Sequence, residues 1–145
     1  MSQLGHPVGA ALAFVWLGMV LAVSVLEAPL KFRAPGVTLA LGLGIGRLVF
    51  RALNIVEVVL AAVITVFCAA APSTTVWVWA LLGGLWLVLA LQLLALRPRL
   101  NRRTDLVISG ADVPSSSQHL VYIALEAVKI VLLAVVGVVL IASIP

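Results

Sequence analysis

The sequence predicts an all-α integral membrane protein, a bundle of four transmembrane helices. Three observations predict it. Hydrophobic residues make up 64% of the chain and charged residues only 10%, where a soluble domain carries about 25% charged residues. Four apolar stretches of spanning length take up most of the 145 residues, which leaves no room for a separate soluble domain. Backbone polar groups in hydrocarbon must be satisfied within their own segment, and helices do this. Residues 1–145 therefore read as a single transmembrane domain.

The first span is expected from Val8 to Leu26, closing at Glu27. Pro29 and Pro35 follow and are expected to break the helix, because proline lacks an N–H and disfavours a helical residue before it. Lys31 and Arg33 lie between them. Val37 to Ala71 is free of proline but would reach about 50 Å as one helix, against a hydrocarbon core of about 30 Å. Two pieces are therefore expected: a short interfacial segment, Val37–Leu43, and a second span from about Ile45 to Ala71. Gly42 and Gly46 at the join have the GxxxG spacing that permits close approach. Ala71–Thr75 reads as a tight turn. The third span, Val76–Leu96, opens on Trp77 and Trp79, which fit an aromatic belt. Gln92 is its one strongly polar residue, so this helix is expected to face lipid most. Arg97–Ser117 is the longest polar segment, and Ser115–Ser117 can cap a fourth span from about Gln118 to Ala142.

The formal charge of +4 comes from nine basic and five acidic residues. In such a chain that excess is a topology signal. The loops after spans one and three hold Lys31 and Arg33, then Arg97, Arg99, Arg102 and Arg103, while the other loop and both ends have no Lys or Arg. Both basic loops are thus expected in the cytoplasm, with both termini outside it, in the cell inner membrane. Nucleic-acid binding is excluded, because the basic groups form no separate folded surface. The single Cys68 forms neither an internal disulfide nor a CxxC pair. The N-terminus does not read as a signal peptide, since no basic residue precedes its long apolar run.

Charge inside the apolar runs carries the functional information. In Gly46–Glu57 (GRLVFRALNIVE), Arg47, Arg51 and Asn54 share one helical stripe with Glu57 at its edge. In His119–Lys129 (HLVYIALEAVK), His119, Tyr122, Glu126 and Lys129 do the same. Such groups are costly in hydrocarbon and must face protein, water or a ligand. Ala52–Val63 and Ala124–Val135 are identical at seven of twelve positions, at an offset of 72. A duplicated helix hairpin follows, with Glu57 and Lys129 at equivalent positions and able to pair near its axis. The expected site is a cup open to the cytoplasm, floored by Glu57–Lys129. Arg47, Arg51, Asn54, His119, Tyr122 and Glu126 would line it, with Glu27 returning from span one.

The chemistry of this set favours an anion. Arginines offer planar, multi-donor contacts to phosphate or carboxylate. Metal binding is not expected, because there is no ExxH pair of the di-iron bundle type and arginines crowd the same space. No nucleophile sits beside a base except Ser115–Ser117 near His119, and that adjacency reads as helix capping. The cofactor is left unknown, and whether the chain is an enzyme is left open.

Two resemblances extend this reading. The stretch RLVFRALNIVE resembles the second-helix RxxRAxxNxxE motif of the membrane-associated eicosanoid and glutathione metabolism proteins. Arg47, Asn54 and Glu57 match in spacing and Arg51 is displaced by one residue. That resemblance implies glutathione contacts from Arg47, Asn54 and Glu57 in a trimer. The third helix departs from it, having Gln92 where those enzymes carry tyrosines and an arginine. More of the chain is similar to a group of uncharacterised small bacterial four-helix membrane proteins, through KFRAP (Lys31–Pro35), GRxxFxxLNxxE (Gly46–Glu57) and SxxHxxYxxxExxK (Ser116–Lys129). This implies membrane location and fold, with no activity attached.

The reading is a multi-pass protein whose charged cup binds an anionic small molecule or a lipid headgroup, as a homo-oligomer or complex subunit. Its alternatives are a structural subunit whose ion pairs only fix packing, a glutathione-dependent enzyme, and a proton-coupled transporter component. Orientation is testable by single cysteines at positions 3 and 105. A membrane-impermeant thiol reagent should label position 3 on intact spheroplasts, and position 105 only after permeabilisation.

Overall fold

A computed structural model describes residues 4–71, 74–114 and 117–144. Helices take up most of those residues, with no strand among them. Four helices are long and apolar enough to cross a membrane: α1 (Gly5–Arg33), α2 (Leu39–Ala70), α3 (Val76–Ile108) and α4 (Gln118–Ala142). α1 packs against α4 and α2, and α3 packs against the same two. α2 and α4 therefore occupy opposite corners of the bundle. The start of α1, the end of α4 and the α2–α3 turn share one end, where the His6 ring lies 3.4 Å from Thr74. The opposite end is basic.

Three expected boundaries are corrected. α1 does not stop at Glu27, and Pro29 does not break it. Ala22–Glu27 widens into a π-turn, in which the Ala28 N–H reaches back five residues to the Val23 carbonyl. The wider turn relieves the clash between a proline ring and the carbonyl four residues earlier. α3 uses the same device. Leu91–Leu96 is a π-turn, the Arg97 N–H bonds the Gln92 carbonyl, and the helix runs through Pro98 to Ile108. Half of the polar segment expected as a loop is therefore helix. The third correction is α2, which is one unbroken helix of 32 residues with no separate Val37–Leu43 piece. Its start is capped by Thr38 Oγ1, which accepts from the Leu41 N–H at 3.2 Å.

Both long connections close on a glycine with φ +82°, Gly36 and Gly110, a conformation that other residues adopt only with strain. Ser117 stands at the N-cap position of α4 but makes no side-chain cap bond. Ser115 and Ser116 lie outside the described residues, as do Pro72 and Ser73 of the expected tight turn. Gly42 and Gly46 do not bring two helix backbones together. A Cβ on Gly42 would collide with the Phe32 ring, and one on Gly46 would stand 2.6 Å from Lys31 Nζ. The glycine pair thus seats the end of α1 on α2.

The half of the bundle nearer the termini is filled by Ala13, Trp16, Val20, Ile64, Leu85, Leu133 and Leu140. Burial of such side chains is worth roughly 1.5–3 kcal/mol each. α3 is no more exposed than α2 or α4, contrary to expectation, and its Gln92 is fully buried. At Gly5 an added Cβ would stand 2.7 Å from the Phe67 carbonyl oxygen, so the start of α1 meets the backbone of α2 there. Gly5→Ala should therefore destabilise the detergent-solubilised protein by about 1–3 kcal/mol through overpacking. Gly83→Ala, which meets nothing within 4 Å, should leave the thermal unfolding midpoint unchanged or raise it.

Candidate functional site: a buried charged layer and a basic groove

Glu57 and Lys129 meet across the diagonal between α2 and α4. Lys129 Nζ lies 2.6 Å from Glu57 Oε1 and 2.8 Å from Glu126 Oε1, and both Lys129 and Glu57 are wholly buried. The pair expected from the spacing forms, and Glu126 joins it one turn earlier on α4. Around it stand donors from the other two helices. Trp16 Nε1 of α1 donates to Glu57 Oε1 at 3.0 Å. Ser24 Oγ of α1 donates to Glu126 Oε2 at 2.9 Å, and Gln92 Nε2 of α3 donates to Glu126 Oε1 at 2.7 Å. Ser24 and Gln92 lie within the two π-turns. All four helices contribute to one layer containing two carboxyl groups and a single ammonium.

Hydrogen bonding in the layer is uneven. Both oxygens of Glu126 are occupied, whereas Glu57 Oε2, Asn54 Oδ1 and Gln92 Oε1 are buried and accept from no donor among the described residues. A buried polar group left without a partner costs about 1–3 kcal/mol.

One level nearer the basic end, Arg97 lies between two rings, 4.5 Å from Phe50 and 4.7 Å from Tyr122. Its Nη2 donates to Tyr122 Oη at 2.6 Å. Phe50 and Tyr122 meet edge to face, 5.8 Å apart. Arg47 Nη2 donates to Asp105 Oδ1 at 2.6 Å and to the Asn101 carbonyl at 3.2 Å. These contacts form because α3 continues past Pro98 and lies along α2.

Between α2 and α3 runs an open groove of about 800 Å³. Its basic end is formed by Arg47, Arg51, Arg97, Asn101 and Asp105, and its inner end by Asn54 with the apolar walls Ile55, Val58, Val59 and Leu93. Three guanidinium groups face one carboxylate there. Arg47 Nε and Arg97 Nε are buried donors without an acceptor among the described residues. Arg51 is exposed and makes no ion pair among them.

The expected cup is thus divided in two. Glu57, Glu126, Lys129 and Tyr122 lie in a closed interior, and Arg47, Arg51 and Asn54 line the lateral groove. His119 belongs to neither, because at the exposed start of α4 no helix covers it. Glu27 is directed away from the layer and pairs with Lys31 at 3.3 Å, its ammonium also facing the Phe32 and Phe50 rings. No cluster of three metal-ligating side chains occurs among the described residues. Sequence reasoning missed Trp16, Ser24, Gln92 and Arg97 as parts of the site. Ser24 and Gln92 had a signal, as lone polar groups in long apolar spans. Trp16 had none, since an indole reads as an apolar side chain until its N–H finds an acceptor.

The chain matches no family model, and neither a curated protein nor a solved structure matches it.

Removing the ammonium should be far more damaging than neutralising one of its partners. Lys129→Met leaves Glu126 buried without a cation, an expected loss of about 3–5 kcal/mol. Glu57→Gln keeps an acceptor for both Lys129 and Trp16 and should cost a small fraction of that. Thermal unfolding of the purified variants in one detergent measures the difference.

Proposed function

We propose that the protein is a multi-pass protein of a bacterial inner membrane that binds an anionic amphiphile in the α2–α3 groove. Its headgroup would sit among Arg47, Arg51 and Arg97, and its acyl chain along Ile55, Val58, Val59 and Leu93. The observation that carries this reading is the groove's unused positive charge. Three guanidiniums face one carboxylate, and among the described residues two of them have buried N–H groups without acceptors and Arg51 has no ion-pair partner. Phosphate or carboxylate oxygens are the acceptors that such forked donors match. The apolar inner walls favour a ligand with a chain over a small soluble anion.

The duplicated hairpin belongs to the same proposal. Each half of the chain has a helix with a six-residue π-turn ending two residues before a proline, then a helix that contributes to the charged layer. A scaffold role draws its support from the layer alone, where Glu126 is fully bonded and ties three helices together. The glutathione reading has less support, since Glu57 is engaged by Lys129 and Trp16 inside the bundle.

Native mass spectrometry with added lipids tests the proposal. The protein should retain phosphatidylglycerol or cardiolipin at least ten-fold more tightly than phosphatidylethanolamine. Arg51→Gln, which breaks no hydrogen bond or ion pair among the described residues, should remove most of that preference. Equal retention of all three lipids by the wild-type protein would leave the scaffold reading standing alone.

A further inference from the structure

The groove presents unsatisfied donors, and the floor beneath it presents the reverse. Glu57 Oε2, Asn54 Oδ1 and Gln92 Oε1 are all acceptors, all buried, and all without a donor among the described residues. The layer also has two carboxyl groups against one ammonium. A single added proton on Oε2 cancels the surplus carboxylate charge and removes two of the three orphaned acceptors, since Oε2 becomes a donor to one of the others. We propose that Glu57 is a proton-binding site, at Oε2, exchanging between carboxylic acid and carboxylate.

The hydrogen bonds assign the proton to Glu57 over Glu126. Glu126 accepts from Lys129 and Gln92 on one oxygen and from Ser24 on the other, the pattern that stabilises an ionised carboxylate. Glu57 accepts from Lys129 and Trp16 on Oε1 alone, leaving Oε2 bare. Protonation turns that bare acceptor into a donor. Acceptors for it stand nearby: Asn54 lies one turn earlier on the same buried face of α2, and Gln92 bonds the same Glu126–Lys129 group from α3. The step is a simple association, in which hydronium gives a proton to the carboxylate and leaves as water.

Every neighbouring helix bears on the charge balance. α1 contributes the neutral Trp16 and Ser24, and its Glu27 is paired with Lys31. α3 contributes the neutral Gln92, with Arg97 one level away on Tyr122. α4 contributes Tyr122, Glu126 and Lys129. With Glu57 protonated, the Glu126–Lys129 pair is neutral and no charge is left over. Asn54 also lines the groove, so the proton site adjoins a path to the surface. This inference stands on the orphaned acceptors and does not require the groove to bind lipid.

The chain has only three glutamates, Glu27, Glu57 and Glu126, which makes the test direct. Wild-type protein in nanodiscs is prepared with ¹³C at the glutamate carboxyl carbon and ¹⁵N at the tryptophan indole. At neutral pH one of the three carboxyl signals should have the chemical shift of a protonated acid, and it should be the one dipolar-coupled to an indole nitrogen. Raising the pH within the range where the protein stays folded should convert it reversibly to the ionised shift. Three ionised signals at neutral pH would overturn the proposal. So would a protonated carboxyl with no indole coupling, or one that never titrates. Glu57→Gln, where it folds, should abolish the protonated signal, whereas Glu27→Gln should leave it.

Discussion

A buried ammonium is the constraint on which this bundle depends. Lys129 carries a charge in an interior otherwise filled by Trp, Leu, Ile and Val, and the cost of stripping water from it is several kcal/mol. That cost is offset only if acceptors reach it with good geometry. Glu57 must come from the opposite corner of the bundle and Glu126 from one turn along the same helix. Each acceptor then needs its own donors, which Trp16, Ser24 and Gln92 bring from α1 and α3. One slipped turn in any helix would leave a charge uncompensated. Such a network adds little net stability over an apolar core, but it penalises every other register heavily.

The π-turns join this constraint to the prolines. A proline inside an α-helix forces a break only if the i to i−4 pattern must hold on both sides of it. Widening one turn relaxes that requirement, and here it does so twice, just before Pro29 and Pro98. The widened turns also change the rotational phase of the helix, and each places one side chain, Ser24 or Gln92, on Glu126 beside Lys129. Irregular helix turns concentrate where a side chain must be aimed. The extensions gained past each proline then supply the groove: without Arg97–Ile108 as helix, Arg47 would have neither Asp105 nor Asn101 to hold it.

This explains which parts were legible in the sequence. Four helices, the diagonal Glu57–Lys129 pair and the burial of Tyr122 and Glu126 follow from period and composition, because hydrocarbon-like interiors leave charged residues few places to go. The helix ends did not follow, since the proline rule describes what a regular α-helix excludes and is silent on a widened turn. His119 and Arg51 show a second limit. Spacing fixes the direction of a side chain around its own axis. It does not say which side of the axis a neighbouring helix covers: at the start of α4 the extension of α3 comes beside Gln118 and leaves His119 exposed. Gln92 shows the converse: as one amide in an apolar helix it looked like a tolerated exception on an outward face, yet it is the residue α3 contributes to the layer.

The groove and the floor are electrostatically linked by their separation along α2. Arg51 and Glu57 are six residues apart, about 9 Å of helix rise. At an effective dielectric of about 20, unit charges separated by that rise alone would interact by roughly 2 kcal/mol, an upper bound that solvent around the exposed Arg51 screens down. In the proposed pair of sites, an anion seated on Arg51 would add the negative charge the groove lacks, and a proton on Glu57 would remove the one the floor has in excess. Linkage makes the effect mutual: whatever proton affinity the anion confers, the proton returns as anion affinity. The segregation of unused donors above and unused acceptors below is then the arrangement expected of two sites that fill together. Asn54, which lines the groove and leaves its own oxygen unbonded beside Glu57, stands at the boundary through which each would sense the other.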